Sequence, residues 1–324
     1  MSNSILLVGV GYMGIEYAKV LKSLNCEFIA VGRSETSAKE FKKVIGVKAK
    51  IGGIDKYLQE VKEVPKAAIV AVSEDQLGVV TLKIIESGVK TILVEKPGGL
   101  DFEDVEKVKK RAEDKEVNVY IGYNRRFYAS VAKAKEIIEK DGGILSIVFD
   151  FTEAVHKIVP LVRPASVKEN WFLQNSTHVI DLAFFLAGKP TKFSSFSTGS
   201  LPWHSKAAIF TGAGITEKDV LFAYHADWKG PGRWSLEVVT KNHKLFFKPL
   251  EKLQIQKVGT FEVSDVQLDD KLDINFKPGI YREVQSFLGN KQSFSTNKKG
   301  LCTISEQVEN LKFYKQILEG KNKL

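Results

Sequence analysis

Short apolar runs alternate with helix-spaced apolar positions through the first part of the chain. Ile5-Leu6-Leu7-Val8 is the first run, and Ile15, Tyr17, Ala18, Val20, Leu21 and Leu24 follow it in a helical pattern. Further runs cover Cys26–Val31, Ala67–Val72, Thr91–Val94 and Val117–Ile121. Helical patterns lie between the later runs, from about Glu74 to Glu86 and from Asp101 to about Asp114. Asp101 suits an N-cap, with Asp104 three residues on. Near-continuous apolar strands separated by helices predict a doubly wound parallel sheet.

After a helix near Ser130–Lys140 the period changes to two. Strands are predicted at Leu145–Phe151, Phe193–Ser197, Ala207–Phe210, Val220–Trp228, Trp234–Val239, Lys244–Phe247 and Leu253–Val258. Gly212-Ala213-Gly214 and Gly230-Pro231-Gly232 read as turns between them. Strands that follow one another without helices predict a largely antiparallel sheet. Helices interrupt the pattern at about Thr177–Leu186 and Ile280–Phe287, and a last one covers about Ile304–Leu318. Alternate positions are apolar, as in Val220, Phe222 and Tyr224, or Trp234, Leu236 and Val238. Helices of this chain can cover one face of such a sheet, and the opposite face then suits a partner. A homodimer or a larger even-numbered oligomer is expected.

The first strand-to-helix turn carries candidate chemistry. Gly9-Val10-Gly11-Tyr12-Met13-Gly14 spells G-x-G-x-x-G at that turn. Gly9 permits the tight turn, Gly11 lets a pyrophosphate approach the backbone, and Gly14 lets the helix sit close to the strand. The free N–H groups and positive end of the helix then hold phosphates, in a cradle that includes Tyr12 and Met13. The expected fold is an α/β Rossmann domain (doubly wound parallel sheet) over 1–124, followed by a second α+β domain over 125–324. That second domain has a large, mostly antiparallel open sheet, and the last helix is expected to pack back on the first domain.

The second strand speaks to which dinucleotide is bound. It ends Gly32-Arg33-Ser34, without the carboxylate that usually accepts from the ribose hydroxyls of NAD. Arg33 can pair with a 2′-phosphate and Ser34 can donate to it, which favours NADP(H) over NAD(H). The alternative is a strand-end arginine that merely snorkels, with Glu35 left to reach a ribose.

Composition narrows the class further. The 324 residues exceed the usual size of one domain, and 44% hydrophobic with 27% charged residues is ordinary for a soluble globular protein. The net charge of +9 comes mostly from lysines interleaved with glutamates, as in Asp104–Lys110, and such runs are solvated helix faces. The excess suits an anionic cofactor. With no zinc-ligand spacing and no basic arm, neither nucleic acid nor a metal is expected. Cys26 and Cys302 form no disulfide framework. The start lacks the positive segment of a signal peptide, and Val179–Ala187 is too short to span a bilayer and contains Asp181. A cytoplasmic protein that meets no membrane is expected.

Three further motifs converge. Glu95-Lys96-Pro97 follows the Thr91–Val94 strand, Tyr123-Asn124-Arg125-Arg126-Phe127 follows the Val117–Ile121 strand, and His178-Val179-Ile180-Asp181-Leu182 opens a helix in the second domain. Together with Gly9–Gly14 they resemble the glucose–fructose oxidoreductase and myo-inositol dehydrogenase family, Gfo/Idh/MocA. The resemblance runs through the first domain and the domain junction, and more loosely over the second. It implies NAD(P)-dependent oxidation or reduction of a sugar, cyclitol or related small molecule.

By that resemblance Lys96 takes the place of the family's active-site lysine, and His178 that of its acid/base histidine. A strand's C-terminal end faces the ligand crevice, where an ammonium offsets charge that develops during hydride transfer. An imidazole titrates near working pH and suits proton transfer. One turn before the histidine, where the family commonly has Asp, stands Gln174, and Leu77 stands where many members have His. Glutamine holds a tautomer but supplies no charge.

The remaining candidates carry smaller roles. Ser73, Glu74, Glu95, Pro97 and Arg125 are expected at the cofactor. Tyr123, Arg126, Arg163, Trp171, Trp228 and Arg233 are expected at the substrate, since aromatic faces stack on sugar rings and arginine binds phosphate. Core packing is the competing reading of the tryptophans. An ion pair between domains is the competing reading of one of Arg125 and Arg126. The leading expectation is an NADP(H)-dependent oxidoreductase acting on a sugar or a nucleotide sugar for surface polysaccharide. The alternative is a cofactor-binding regulator of the same fold without turnover.

Overall fold

The computed structural model describes residues 4–289 and 300–320; the outer ends of the two expected domains and 290–299 lie outside the described residues. Contacts divide the chain into two units. One holds the described residues of 1–124 and 272–308, the other those of 125–271 and 309–320. The sequence expectation gave all of 125–324 to the second domain. In the structure the described residues of 272–308 belong to the first, and 309–320, most of the last helix that was expected to pack back on the first domain, belong to the second.

In chain order the first unit begins β1 (Ile5–Val8), α1 (Tyr12–Ser23), β2 (Phe28–Gly32), α2 (Glu35–Ile45), β3 (Lys50–Ile51) and α3 (Gly53–Glu60). It continues β4 (Ala67–Val70), α4 (Leu77–Glu86), β5 (Thr91–Glu95), α5 (Phe102–Asp114) and β6 (Asn118–Gly122). The second unit runs α6 (Ala129–Lys140), β7 (Ser146–Asp150), α7 (Val155–Ile158), α8 (Ala165–Glu169), α9 (Thr177–Ala187), β8 (Pro190–Thr198) and β9 (Ile209–Thr216). It then adds β10 (Leu221–Asp227), β11 (Ser235–Val239), β12 (His243–Phe247), β13 (Gln254–Lys257) and β14 (Val263–Asp265). The chain closes with α10 (Lys271–Asn275), α11 (Ile280–Leu288), β15 (Cys302–Thr303) and α12 (Ile304–Glu319).

The first sheet has the order β15-β6-β5-β4-β1-β2-β3. All its pairs are parallel except β15 with β6. β1 lies between β2 and β4, so the strand order reverses there, and the crevice beyond the C-terminal ends of these strands is where open α/β sheets bind ligands. Ile5–Val8 and Ala67–Val70 are buried throughout, as strands covered on both faces must be. Asp101 caps α5 by accepting from the Asp104 N–H at 3.0 Å.

The second sheet has the order β14-β13-β12-β11-β7-β10-β9-β8. Only β7 and β10 pair in parallel; the rest are antiparallel. Its inner face buries Ile147, Phe149, Phe222, Tyr224, Leu236 and Val238. Phe184 of α9 meets this face edge-on, 5.6 Å from the Phe149 ring and 5.0 Å from that of Phe222.

Gly212-Ala213-Gly214 is not the turn that the sequence predicts; it lies inside β9. The reason is cross-strand packing. A Cβ on Gly212 would sit 2.4 Å from the Tyr224 hydroxyl, and one on Gly214 would sit 2.2 Å from the Phe193 Cβ. The Tyr224 ring crosses over Gly212, which pairs with Tyr224 on one side and Ser195 on the other, and donates to the Ser195 hydroxyl at 2.7 Å. Gly230-Pro231-Gly232 does lie between strands, in the bend that follows the turn at Trp228 and Lys229 and leads to β11.

Asp141, at the C-terminal end of α6, accepts from the Thr240 hydroxyl, the Asn242 amide and the His243 ring, and so pins the β11–β12 turn. Burial alone would raise this carboxyl, but those hydrogen bonds hold it down at about 2. A depressed carboxylate stabilises the fold above its unfolded value and loses that contribution as pH falls through the folded one. Asp141→Ala should therefore cost about 1–2 kcal/mol at pH 7. In urea titrations the difference from the unsubstituted protein should shrink as pH falls from 3.8 to about 2.

Candidate active site

The Gly9–Gly14 turn is built by close backbone approach. Gly9 has φ +112°, and a Cβ there would lie 2.1 Å from the carbonyl oxygen of Ala71. A Cβ on Gly14 would lie 2.0 Å from the Gly9 carbonyl oxygen. On Gly11 it would meet nothing within 4 Å, so this backbone faces open space at the start of α1. That is the geometry a pyrophosphate needs.

The turn opens into a cavity of about 380 Å³ whose lining includes Gly9, Gly11, Arg33, Ser34, Ser73 and Lys83. Ser34 caps α2, accepting from the Ser37 N–H and donating to its hydroxyl. The helix therefore adds its positive end to the exposed Arg33 guanidinium. Burial would raise the Asp75 carboxyl, but hydrogen bonds from Ser73 and Gln76 and the charge of Arg33 bring it below its ordinary value. Lys83 and Asp55 pair across the lining at 2.7 Å. The residues fit a dinucleotide.

Lys96 is half-buried immediately after β5, and its peptide with the buried Pro97 is cis. The carbonyl of Pro97 accepts from the Gln307 amide at 3.1 Å. Glu95 is half-buried and accepts from the Tyr17 hydroxyl at 2.8 Å. Burial pushes the Glu95 carboxyl up, while the Tyr17 donor and the charges of Lys96 and Lys277 pull it down; the net direction is up. Lys277 also stands 5.2 Å over the exposed ring of Tyr12. Glu74 is half-buried at the end of the β4 loop.

In the second unit a π-helical turn, Phe172–Ser176, leads into α9 and places Gln174 and His178, both buried. Such turns recur at functional sites. Glu153 fixes it, accepting from Asn175 at 2.8 Å and from the Ser176 hydroxyl at 2.7 Å. The Trp234 ring lies 6.0 Å from that of His178, and the Arg125 guanidinium sits 4.8 Å over Trp234. Arginine, indole and imidazole thus form one contiguous group.

Residues 4–123 match the model of an oxidoreductase family with an NAD-binding Rossmann fold. That stretch is therefore similar to the Rossmann domain of the Gfo/Idh/MocA oxidoreductases. Solved structures share the fold over nearly the whole chain. An oxidoreductase from Agrobacterium radiobacter, solved with NAD+, L-tartaric acid and magnesium, is 11% identical, covering 99% of this chain and 96% of its own at a TM-score of 0.79. UDP-N-acetylglucosamine 3-dehydrogenase from Acidithiobacillus ferrooxidans is 16% identical, with coverage of 98% and 97% and a TM-score of 0.73. An oxidoreductase from Thermotoga maritima is 18% identical, with coverage of 99% and 97% and a TM-score of 0.76. No curated protein matches the chain by sequence. Among the described residues no group of His, Cys, Asp and Glu has the arrangement of a metal site, and no helix is long and apolar enough to cross a membrane.

Several residues expected to contact a ligand are buried instead. Trp228 is 1% exposed, donates to the Phe151 carbonyl and packs on His204 and Phe210, so it is core rather than a sugar platform. Trp171 is likewise buried, edge-on to Trp203, and Tyr123 is buried in the first unit. Arg126 is engaged by a carboxylate of its own unit: Nε and Nη2 grip both oxygens of Asp181, with side-chain exposures of 3% and 1%. Arg125 belongs to the second unit over Trp234, not to the lining of the nucleotide cavity. Arg163 and Arg233 are exposed on loops, and Met13 is half-buried in α1.

Sequence reasoning missed Glu153, Lys277 and Glu283. The signal for Glu153 was present, a carboxylate just past an apolar strand. Lys277 and Glu283 reach the first unit only because the chain returns to it.

Removing one partner of a buried ion pair strands the other charge. Arg126→Met should cost about 3–5 kcal/mol of unfolding free energy in denaturant titrations. A loss under about 1 kcal/mol would show that the pair is not structural.

Proposed function

We propose that this chain is an NADP(H)-dependent oxidoreductase acting on a hydroxyl- or ketone-bearing carbon of a sugar or nucleotide sugar. The observation that carries the reading is the cavity at the β1, β2 and β4 ends, where the Gly11 backbone is open and Arg33 and Ser34 replace a ribose-binding carboxylate. The nicotinamide cofactor, held by these residues, would supply the hydride chemistry at that carbon. Lys96 donates to the reacting oxygen and steadies the charge it gains, and His178 takes or returns the hydroxyl proton. Arg33 pairs with the 2′-phosphate and so selects NADP(H).

The likeness to UDP-N-acetylglucosamine 3-dehydrogenase supports a nucleotide sugar, of the kind used for surface polysaccharide, as the finer substrate reading. The two free cysteines fit a reducing compartment, and we place the enzyme in the cytoplasm. One observation favours a regulator without turnover. Gln174 is buried and neutral where the resemblance implies an aspartate behind His178.

NADPH should bind more tightly than NADH by about tenfold or more, and Arg33→Ala should remove most of that difference in calorimetric titrations. With an active sugar or nucleotide sugar, Lys96→Ala and His178→Ala should each lower kcat by about a hundredfold or more while NADPH affinity stays near its original value. Equal affinity for the two cofactors would sink the NADP assignment. NADPH binding without turnover of any sugar would favour the regulator.

We also propose that the outer face of the second sheet joins copies of this chain. Val148, Leu221 and Phe196 on that face are 48%, 60% and 55% exposed. Sedimentation velocity should show a dimer or larger even-numbered oligomer, and Val148→Lys with Leu221→Lys should shift it toward monomer. A monomer at all concentrations would exclude this interface.

A further inference from the structure

The loop that opens α11 brings a cation to the glycine turn of the first unit. Residues 276–279 belong to that unit although most of the chain separates them from the turn, and side chains hold them in place. The Asn124 amide donates to the Pro278 carbonyl at 2.9 Å. Asp273 accepts from the Gly279 N–H at 3.1 Å and from the Arg282 guanidinium at 2.8 Å. Gly279, with φ +80°, turns the chain into α11, and the rings of Phe276 and Tyr281 pack with centres 4.9 Å apart. Lys277 is half-buried in this loop, and its ammonium lies 5.2 Å from the centre of the Tyr12 ring. Its charge also reaches the Glu95 carboxyl, which burial raises and which the Tyr17 donor, Lys96 and Lys277 lower. Lys277 thus stands near both the first residue of α1 and the residue before Lys96.

A cation is what the glycine turn lacks. Gly9-Val10-Gly11-Tyr12-Met13-Gly14 contains no charged side chain. The turn offers a pyrophosphate only backbone N–H groups and the partial positive charge of a helix end, whereas each phosphate of the pair carries a full negative charge. Arg33 lies past the end of β2, on the ribose side of the cavity. The Tyr12 ring is 66% exposed, and an ammonium over an exposed ring gains less than one that donates to a phosphate oxygen. The ring holds the ammonium at the turn without satisfying its donors.

We propose that Lys277 is a further cofactor-binding residue, which leaves the Tyr12 ring to donate to a pyrophosphate oxygen when a dinucleotide lies on the Gly9–Gly14 turn. This rests on the reading of that turn as a dinucleotide site. It does not rest on the choice between NADP(H) and NAD(H), because the pyrophosphate is common to both. Lys277 and Arg33 then divide the work: the first adds affinity for either cofactor, and the second distinguishes them.

Calorimetric titration of the whole chain with NADPH, NADH and adenosine 2′-monophosphate tests the assignment. Lys277→Met keeps the apolar stem and removes the charge. It should weaken NADPH and NADH by the same factor, about tenfold, and leave their ratio unchanged. Adenosine 2′-monophosphate, which has no pyrophosphate, should bind Lys277→Met as it binds the unsubstituted protein. The salt dependence of NADPH binding should be shallower in Lys277→Met, and Lys277→Arg should recover most of the affinity. Unchanged dinucleotide affinity in Lys277→Met, a loss confined to NADPH, or an equal loss for adenosine 2′-monophosphate would each overturn the proposal while leaving the dinucleotide site standing. If the unsubstituted protein binds neither NADPH nor NADH, the reading of the turn falls and this proposal with it.

Discussion

The backbone of Gly9 passes so close to the carbonyl of Ala71 that a methyl group at its Cα would overlap it, at 2.1 Å. Gly14 then closes on the Gly9 carbonyl in the same way, at 2.0 Å. These two approaches draw β1, β4 and α1 together at the point where the strand order reverses. Because they occupy the space that side chains would need, the helix N-terminus is left facing the cavity with its N–H groups unobstructed at Gly11. Arg33, Ser34 and the α2 N-terminus line the same cavity, so the charge arrives where the shape is prepared for it. Any side chain at Gly9 or Gly14 would part the elements that make the cradle.

The second unit solves a different packing problem with the same device. An open antiparallel sheet must bury large rings on one face, and rings on neighbouring strands compete for room. Gly212 and Gly214 give up their side chains so that Tyr224 can lie across the strand to Ser195 and Phe222 can approach Phe193, 5.9 Å between ring centres. The cost in strand propensity is offset by aromatic surface removed from water. Against this sheet α9 is hydrophobic nearly all round, and the charge it does carry, Asp181, is neutralised by the bidentate grip of Arg126.

Polar groups in both units are buried in ways that demand partners. Glu153 gathers the Asn175 and Ser176 donors and thereby holds the π-helical turn from which α9 starts. Tyr17 occupies the gap between Glu95 and Glu283. Such groups cost much when left unsatisfied, and once satisfied they lock neighbouring elements in one register. The residue before Lys96 in one unit and the turn before His178 in the other are tied in this way.

Local pattern determined a large part of this protein. Apolar runs with helical intervals specify the parallel sheet, because a strand covered on both faces has no polar alternative. Period-two runs without helices between them specify the second sheet, and the strand–glycine–helix order specifies the phosphate cradle. The resemblance carried by Glu95-Lys96-Pro97, Tyr123–Phe127 and His178–Leu182 is equally a matter of sequence, and of these three motifs only the first lies wholly within the match over 4–123. Tertiary structure alone decided the rest. Nothing local distinguishes Arg125, stacked on Trp234, from Arg126, sealed against Asp181, since the difference lies in what faces each from distant elements. Trp228 reads as a sugar platform until the strands around it close. A glycine pair reads as a turn until a tyrosine from the next strand is seen lying over it. Lys277 and Glu283 join the first unit across more than half the chain, because burial there depends on which surfaces remain to be covered once the sheet has formed, and no window of sequence contains that information.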